Sequence, residues 1–389
     1  MSDGPAGELT TAQVAEHLGV KVQTVYAYVS RGVLAPVRRD PRIGSLFDVR
    51  EVQSVAGGPG RSGRRRTGVA EDVRTAITEI GPGSLAYRGS DVRRLAGAAT
   101  FEEVRDLLVG LPAPAPDGGG EQLDRVMSAL PPATPVLDRF KHAVLVAAGT
   151  DPGRHDRSPA AFASAGARCA GVMAASVSGM PSRPAGDAGL AASLSAYLPG
   201  VPLDLLDMVL VLLADHDLAT STTAVRVAVS AGSDAYSCLL AGLAAADSPV
   251  HVAASLAVVD WLRAALRDPQ QALDTALVRG RPPGFGHLVY TEQDPRAQLL
   301  LDRFEHGTGD PAPWAAVRHL EAELLERRDW VLTVDVALAL LVLTHDLPRD
   351  AGVALFACAR TAGWTAHAVE ELAAPAMRFR LRGVYTGTR

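Results

Sequence analysis

The sequence predicts a mostly α-helical protein, with a small helix-turn-helix module ahead of a large helical body, on three observations. Apolar residues make up 48% of the 389 but aromatics only 5%, and the dominance of Ala, Leu and Val suits helices packed through small side chains better than a β-sandwich. Period-2 strand patterns are few and short, whereas Leu203 to Ala214 and Val331 to Leu343 are apolar runs of helix length. Charge is also divided: residues 1–66 carry +4 and the rest −9, for a total of −5. That split marks a basic module on an acidic body.

Both apolar runs are shorter than the roughly 20 residues a bilayer requires, and MSDGPAGELT lacks the charged and apolar regions of a secretory signal. A soluble cytoplasmic protein with no membrane partner is therefore expected. Cys169, Cys238 and Cys358 are widely spaced and odd in number, which offers neither a disulfide framework nor a CxxC zinc site, so no metal is expected. Lys21 and Lys141 are the only lysines. Any anion clamp must be built from guanidinium forks, which fit carboxylates and phosphates.

Leu9 to Leu34 reads as helix, tight turn, helix. Thr10 with Gln13 forms a capping box, Val14, Ala15 and Leu18 line one face, and Gly19 permits the turn. A second helix is expected from about Lys21 to Arg31, with Val22, Val25 and Val29 inward and Gln23, Thr24, Tyr28 and Arg31 outward. This module, residues 1–56, resembles the winged helix-turn-helix of the MerR and excisionase type, with Gly32 to Phe47 as the wing and a closing helix opening at Val49 to Val52. The resemblance implies DNA as a partner, with Arg38, Arg39 and Arg42 near phosphates; packing or dimerisation is the other use of such a module. Residues 57–70 read as a flexible basic linker rich in Gly and Arg.

In the body, Asp72 to Leu108 reads as short strands around a turn carrying Tyr87-Arg88-Gly89, then a helix near Thr100, where Thr100 and Glu103 form a second capping box. A Pro/Gly-rich loop follows at about Gly110 to Gly120. Leu137 to Pro199 is alanine-rich and helical in character. The most informative stretch is GFGHLVYTEQDPRA, Gly284 to Ala297: glycines flanking Phe285 allow close backbone approach, His287 can donate to a carbonyl, and Arg296 can fork onto a carboxylate.

Six motifs in order, LADHD with His216, SPVH with His251, GFGH through Arg296, LTVDVALALL with Asp335, RTAGW with Arg360, and RFRLRGVYTG with Arg380, together resemble the citrate synthases. The resemblance runs from Glu71 to the C-terminus. It implies a large helical domain from residues 71–251 and 348–389, a small one from 252–347 that closes over substrate, and condensation of acetyl-CoA with oxaloacetate followed by hydrolysis to citrate and CoA. No bound cofactor is implied beyond the acyl-CoA co-substrate. By position, Asp335 would be the base, His251 the donor to the enolate oxygen and His287 the donor polarising the oxaloacetate carbonyl. His216, Arg296, Arg360 and Arg380 would hold the dianion, the last from the neighbouring subunit of a homodimer.

Each residue also has a plainer reading. Asp335 at the edge of an apolar helix is a suitable N-cap, and His216 between Asp215 and Asp217 could be a surface pair. His345 and His367 are taken as structural. The chain departs from the family at Val252 and Ala253, Leu288, Thr291 and Leu381, all but the last on the acyl-CoA side, so weaker acetyl-CoA binding or a different acyl chain is expected. Two alternatives stand beside the synthase: a 2-methylcitrate synthase using propionyl-CoA, and a metabolite-sensing DNA-binding regulator with a weakly active or inactive body.

Overall fold

The computed structural model describes residues 8–30, 33–40, 43–48, 52, 73–114, 120–178, 189–287, 289–307 and 310–380. They fall into two compact units, within residues 1–72 and 73–389. The expected linker at 57–70 lies outside the described residues.

In the N-terminal unit, strand β1 (Glu8–Thr10) leads into helix α1 (Thr11–His17), and β1 and β2 (Arg38–Asp40) flank β3 (Gly44–Asp48) in an antiparallel sheet. Thr10 and Gln13 cap α1 reciprocally, and Gly19 takes the left-handed conformation at φ +62° that turns the chain toward α2 (Val22–Ser30). The core is Val14, Ala15, Val25, Leu34, Phe47 and Val52, with Leu18, Tyr28 and Val29 packed against it. Two expectations for α2 are corrected. Tyr28 faces inward because it follows Val25 by three residues and shares its stripe, whereas Val22, in the first turn, is exposed. Of the expected closing helix Val52 is described and buried, while Val49, Arg31 and Arg42 lie outside the described residues.

The second unit opens with a three-stranded meander, β4 (Thr78–Gly81), β5 (Ser84–Tyr87) and β6 (Ser90–Asp91). Helices follow: α3 (Val92–Ala98), α4 (Phe101–Val109, with the expected Thr100–Glu103 capping box), α5 (Gly120–Ala129), α6 (Val136–Thr150), α7 (Pro159–Ser178), α8 (Leu190–Leu194), α9 (Leu203–Leu213), α10 (Thr220–Ser230) and α11 (Ala235–Ala246). Then come α12 (Ala254–Ala265), α13 (Pro269–Arg279), α14 (Pro295–Glu305), α15 (Pro311–Arg328), α16 (Val334–Thr344) and α17 (Ala351–Leu372). The axis of this unit is α17, a 22-residue helix buried along most of its length and packed on α4, α7, α9 and α10. By length and composition α7 could cross a membrane, but it packs into this core.

The apolar run from Val331 does not start as helix. Gly286 N donates to Val331 O (2.6 Å) and Thr333 N to Gly284 O (2.9 Å), around an antiparallel bridge between Phe285 and Leu332. Residues 331–333 are thus taken up in pairing with the GFGH loop, and α16 begins at Val334. The glycine at 284 is obligatory there: φ is +82°, and a Cβ would collide with Val336.

Candidate functional site

That bridge fixes the local geometry of the site. It pairs Phe285, two residues before His287, with Leu332, two residues before α16, which carries Asp335 at its second position. Thr333, not Asp335, is the N-cap of α16, and its Oγ1 donates to Asp335 Oδ2 at 3.2 Å. The N-cap reading of Asp335 is thereby replaced. Burial pushes the Asp335 carboxyl above the ordinary range, overcoming the opposing pull of Arg296 and Thr333.

His287 Nδ1 accepts two backbone N–H groups, from Val289 and Tyr290, each at 3.0 Å. An imidazole nitrogen that accepts has no proton, so the proton of neutral His287 sits on Nε2, which is left as a donor. Desolvation, reinforced by Arg296, lowers the His287 pKa and keeps the ring neutral. His216 stands 5.5 Å away ring to ring, and its Nε2 lies 3.2 Å from the Tyr290 hydroxyl. Burial, with Arg296, Arg360 and His287 adding, holds His216 well below its usual value. It is no surface pair: Asp215 is wholly buried, and Tyr87 fixes the turn, donating to Asp215 O at 3.1 Å and accepting from Asp215 N at 3.3 Å.

The two buried arginines differ. Arg296 donates through Nε (3.0 Å) and Nη2 (2.9 Å) to the two oxygens of Asp294. Asp294 also takes the backbone N–H of Arg296 and, at 2.9 Å, that of Val334 at the head of α16. One carboxylate therefore serves an arginine and two helix N-termini. The Nε and Nη2 of Arg296 are thus engaged by Asp294 within the chain. Arg360, on α17, donates Nε to Leu213 O at 2.9 Å and lies over the Phe356 ring at 4.4 Å. Its Nη2 is buried and has no hydrogen-bond partner among the described residues. Burial pulls the Arg360 pKa down to about 10, with Asp215 opposing and Arg296 adding, so the group stays cationic at neutral pH.

His251 and Phe356 meet in a T-shaped arrangement, ring centroids 6.2 Å apart. Its Nε2 meets Ser221 Oγ at 2.9 Å, and Ser221 in turn accepts from Trp364 Nε1 at 3.3 Å. Burial first and Arg360 second lower its pKa as well. His216, His251, His287, Arg296, Asp335 and Arg360 thus share one electrostatically linked cluster, in which the two arginines are buried and the other four half-buried. Arg380 does not join it within the chain; its side chain is exposed after α17.

Of the departures on the acyl side, the Val252 side chain is buried in the core. Thr291 is exposed, and Leu288 and Leu381 lie outside the described residues. Sequence reasoning passed over Ser221, Tyr290, Asp294 and Phe356. Of these, Asp294 carried a readable signal, an acid directly before a proline at a helix start. Among the described residues no group of three or more His, Cys, Asp or Glu is placed to hold a metal ion.

Residues 67–382 match a family model described as citrate synthase, C-terminal domain, and residues 8–53 match one described as helix-turn-helix domain. The chain is 33% identical over 190 residues to a citrate synthase of Haloferax volcanii, covering 47% of this chain and 50% of that protein. It is 27% identical over 343 residues to a 2-methylcitrate synthase of Shewanella oneidensis, covering 76% of this chain and 88% of that one. Against the peroxisomal citrate synthase of Dictyostelium discoideum the match is 32% identical and covers 47% of this chain and 39% of the relative, so the chain spans half or less of the length of some curated relatives. The citrate synthase structure from Thermoplasma acidophilum, a ternary complex with carboxymethyl coenzyme A and oxaloacetate, superposes with a TM-score of 0.71 at 25% identity over 82% of this chain and 94% of that one. That from Thermotoga maritima gives 0.68 at 25% identity, over 83% and 95%.

Proposed function

Since the chain belongs to the citrate synthase family, we propose that it condenses acetyl-CoA with oxaloacetate and hydrolyses the citryl thioester to citrate and CoA. The observation that carries this reading is Arg360, a buried guanidinium whose Nη2 has no hydrogen-bond partner among the described residues. An unpaired buried donor on a charged group is costly, about 1–3 kcal/mol or more, and a dianionic oxo-acid would complete it. Arg360, the remaining Nη1 of Arg296, and His216 bind its carboxylates in this proposal, with Arg380 supplied by the partner of a homodimer.

The chemistry asks for a base able to remove a proton from a thioester methyl group, and for donors where negative charge develops. Asp335 takes that proton, and its raised pKa makes it a stronger base than an ordinary carboxylate. His251, with Nε2 held by Ser221, presents Nδ1 to the enolate oxygen. His287 Nε2–H donates to the oxaloacetate carbonyl as the new carbon–carbon bond forms. Neutral donors suit both positions, since each must give a proton without a competing cation. Closure of residues 252–347 over the site would exclude water during condensation. The setting is cytoplasmic, and no cofactor is needed beyond the acyl-CoA.

A second reading, a 2-methylcitrate synthase acting on propionyl-CoA, is favoured by the long alignment to the Shewanella protein. The N-terminal unit is proposed to contact DNA, supported by its helix-turn-helix match and the exposed Arg38 and Arg39 of its wing. The test is release of CoA thiol from oxaloacetate plus acetyl-CoA or propionyl-CoA, with Asp335→Asn as control. Release by the wild type alone supports a synthase and ranks the acyl chains; no release while oxaloacetate still binds would favour the sensor-like regulator.

A further inference from the structure

Behind the site runs a buried chain of charge that the chemistry above does not use. Arg226 on α10 is almost wholly buried and donates through Nε (3.1 Å) and Nη2 (2.7 Å) to His367 Nδ1. It also donates through Nη1 to Glu371 at 2.9 Å and through Nη2 to Glu370. Since His367 Nδ1 accepts from a guanidinium, its proton lies on Nε2, which faces Asp215 Oδ2 at 3.3 Å. Asp215 Oδ2 further accepts from Thr78 Oγ1 (2.5 Å) and Asp217 N (3.0 Å). Burial alone would raise the Asp215 carboxyl, but His367, Arg360 and Thr78 together hold it lowered and ionised.

Asp215 is the residue before His216, and its charge acts on Arg360. It is packed so tightly against α17 that a Cβ on Gly363 would collide with it, while Gly363 N donates to Ala214 O at 3.0 Å. At the other end, Glu371 is shared between Arg226 and Arg378, two residues before Arg380, and Ser230 on α10 accepts the backbone N–H groups of Met377 and Arg378.

We propose that Arg226 and His367 are positioning residues for the oxo-acid site: through Asp215 they fix the His216 turn against Arg360, so that both anion-binding groups are set before substrate arrives. A flexible turn would have to be ordered by the ligand, at a cost in affinity; a prepaid one is not. The inference rests on the proposed oxaloacetate-binding role of His216 and Arg360.

The experiment is steady-state kinetics of His367→Leu and His367→Gln beside the wild type, whose own CoA release first establishes the reaction. His367→Leu, which removes a hydrogen bond to the ionised Asp215 carboxylate, should raise KM for oxaloacetate about tenfold or more, leaving kcat and KM for acetyl-CoA within about threefold. Gln can both accept from Arg226 and donate to Asp215, so His367→Gln should recover most of the affinity. Should His367→Leu not fold, the near-isosteric Thr78→Val, which removes one donor to Asp215, should raise the same KM by about threefold. Unchanged oxaloacetate KM, or parallel losses in kcat and both KM values with no recovery by Gln, would overturn the positioning role. An inactive wild type would instead overturn the synthase reading on which it rests.

Discussion

The two units use arginine in opposite ways. In the body Arg226, Arg296 and Arg360 are buried beneath helices, whereas in the N-terminal unit Arg38 and Arg39 stand exposed on a short strand. A solvated guanidinium is satisfied by water and says little about its partner. A buried one must be matched atom by atom, because removing it from water costs several kcal/mol. Arg226 and Arg296 are matched by Glu371 and Asp294; Arg360 is matched in part. Of the three, it is Arg360 whose unmatched Nη2 supports the proposed anionic ligand, a kind of inference the exposed arginines do not allow.

The contrast can be broken at several points. Asp335→Asn should reduce CoA release by roughly a thousandfold, the scale of losing a general base, while leaving oxaloacetate affinity intact; a thiol-release assay beside calorimetry checks both. Arg360→Gln comes next, raising oxaloacetate KM on the order of 100-fold at saturating acetyl-CoA, the scale of truncating one member of a buried charge pair. If Arg360 were only structural, kcat and solubility would fall instead.

The pH profile is a smaller effect with a definite sign. Asp335 must be ionised to act, and its pKa is raised, so kcat/KM should fall on the acid side at a pH above that of an ordinary carboxylate. His216, His251 and His287 have lowered values and are already neutral at pH 7, so they should add no loss near 6.5, the ordinary histidine value. A rate profile breaking near that ordinary value and surviving in Asp335→Glu would contradict this assignment. Smallest of all, deleting residues 1–66 should change kcat/KM by less than about twofold. A large loss in a folded, truncated protein would make the basic module part of the catalytic unit.

Much of this was legible in the sequence for identifiable reasons. Local signals survived intact: the Thr10–Gln13 and Thr100–Glu103 capping boxes and the turn at Gly19 are set by a few neighbouring residues. Motif order nominated His216, His251, His287, Arg296, Asp335 and Arg360 as candidates, and the fold brings these six into one electrostatically linked cluster. What was not legible depends on contacts distant in sequence. Asp294 engages the Arg296 fork only because α16 arrives beside it, the helix at Val331 is delayed only because the GFGH loop pairs there, and Val252 points inward only because the core is already formed around it. Tyr28 turns inward for a local reason: it lies on the same helical stripe as Val25.

The central claim is that Arg360 marks a site for a dianionic oxo-acid beside a base that binding does not need. Calorimetric titration of oxaloacetate into Asp335→Asn and into Arg360→Gln tests it directly. Asp335→Asn should bind as the wild type does, and Arg360→Gln should lose affinity on the order of 100-fold. Equal binding by the wild type and Arg360→Gln, or loss of binding by Asp335→Asn, would contradict it.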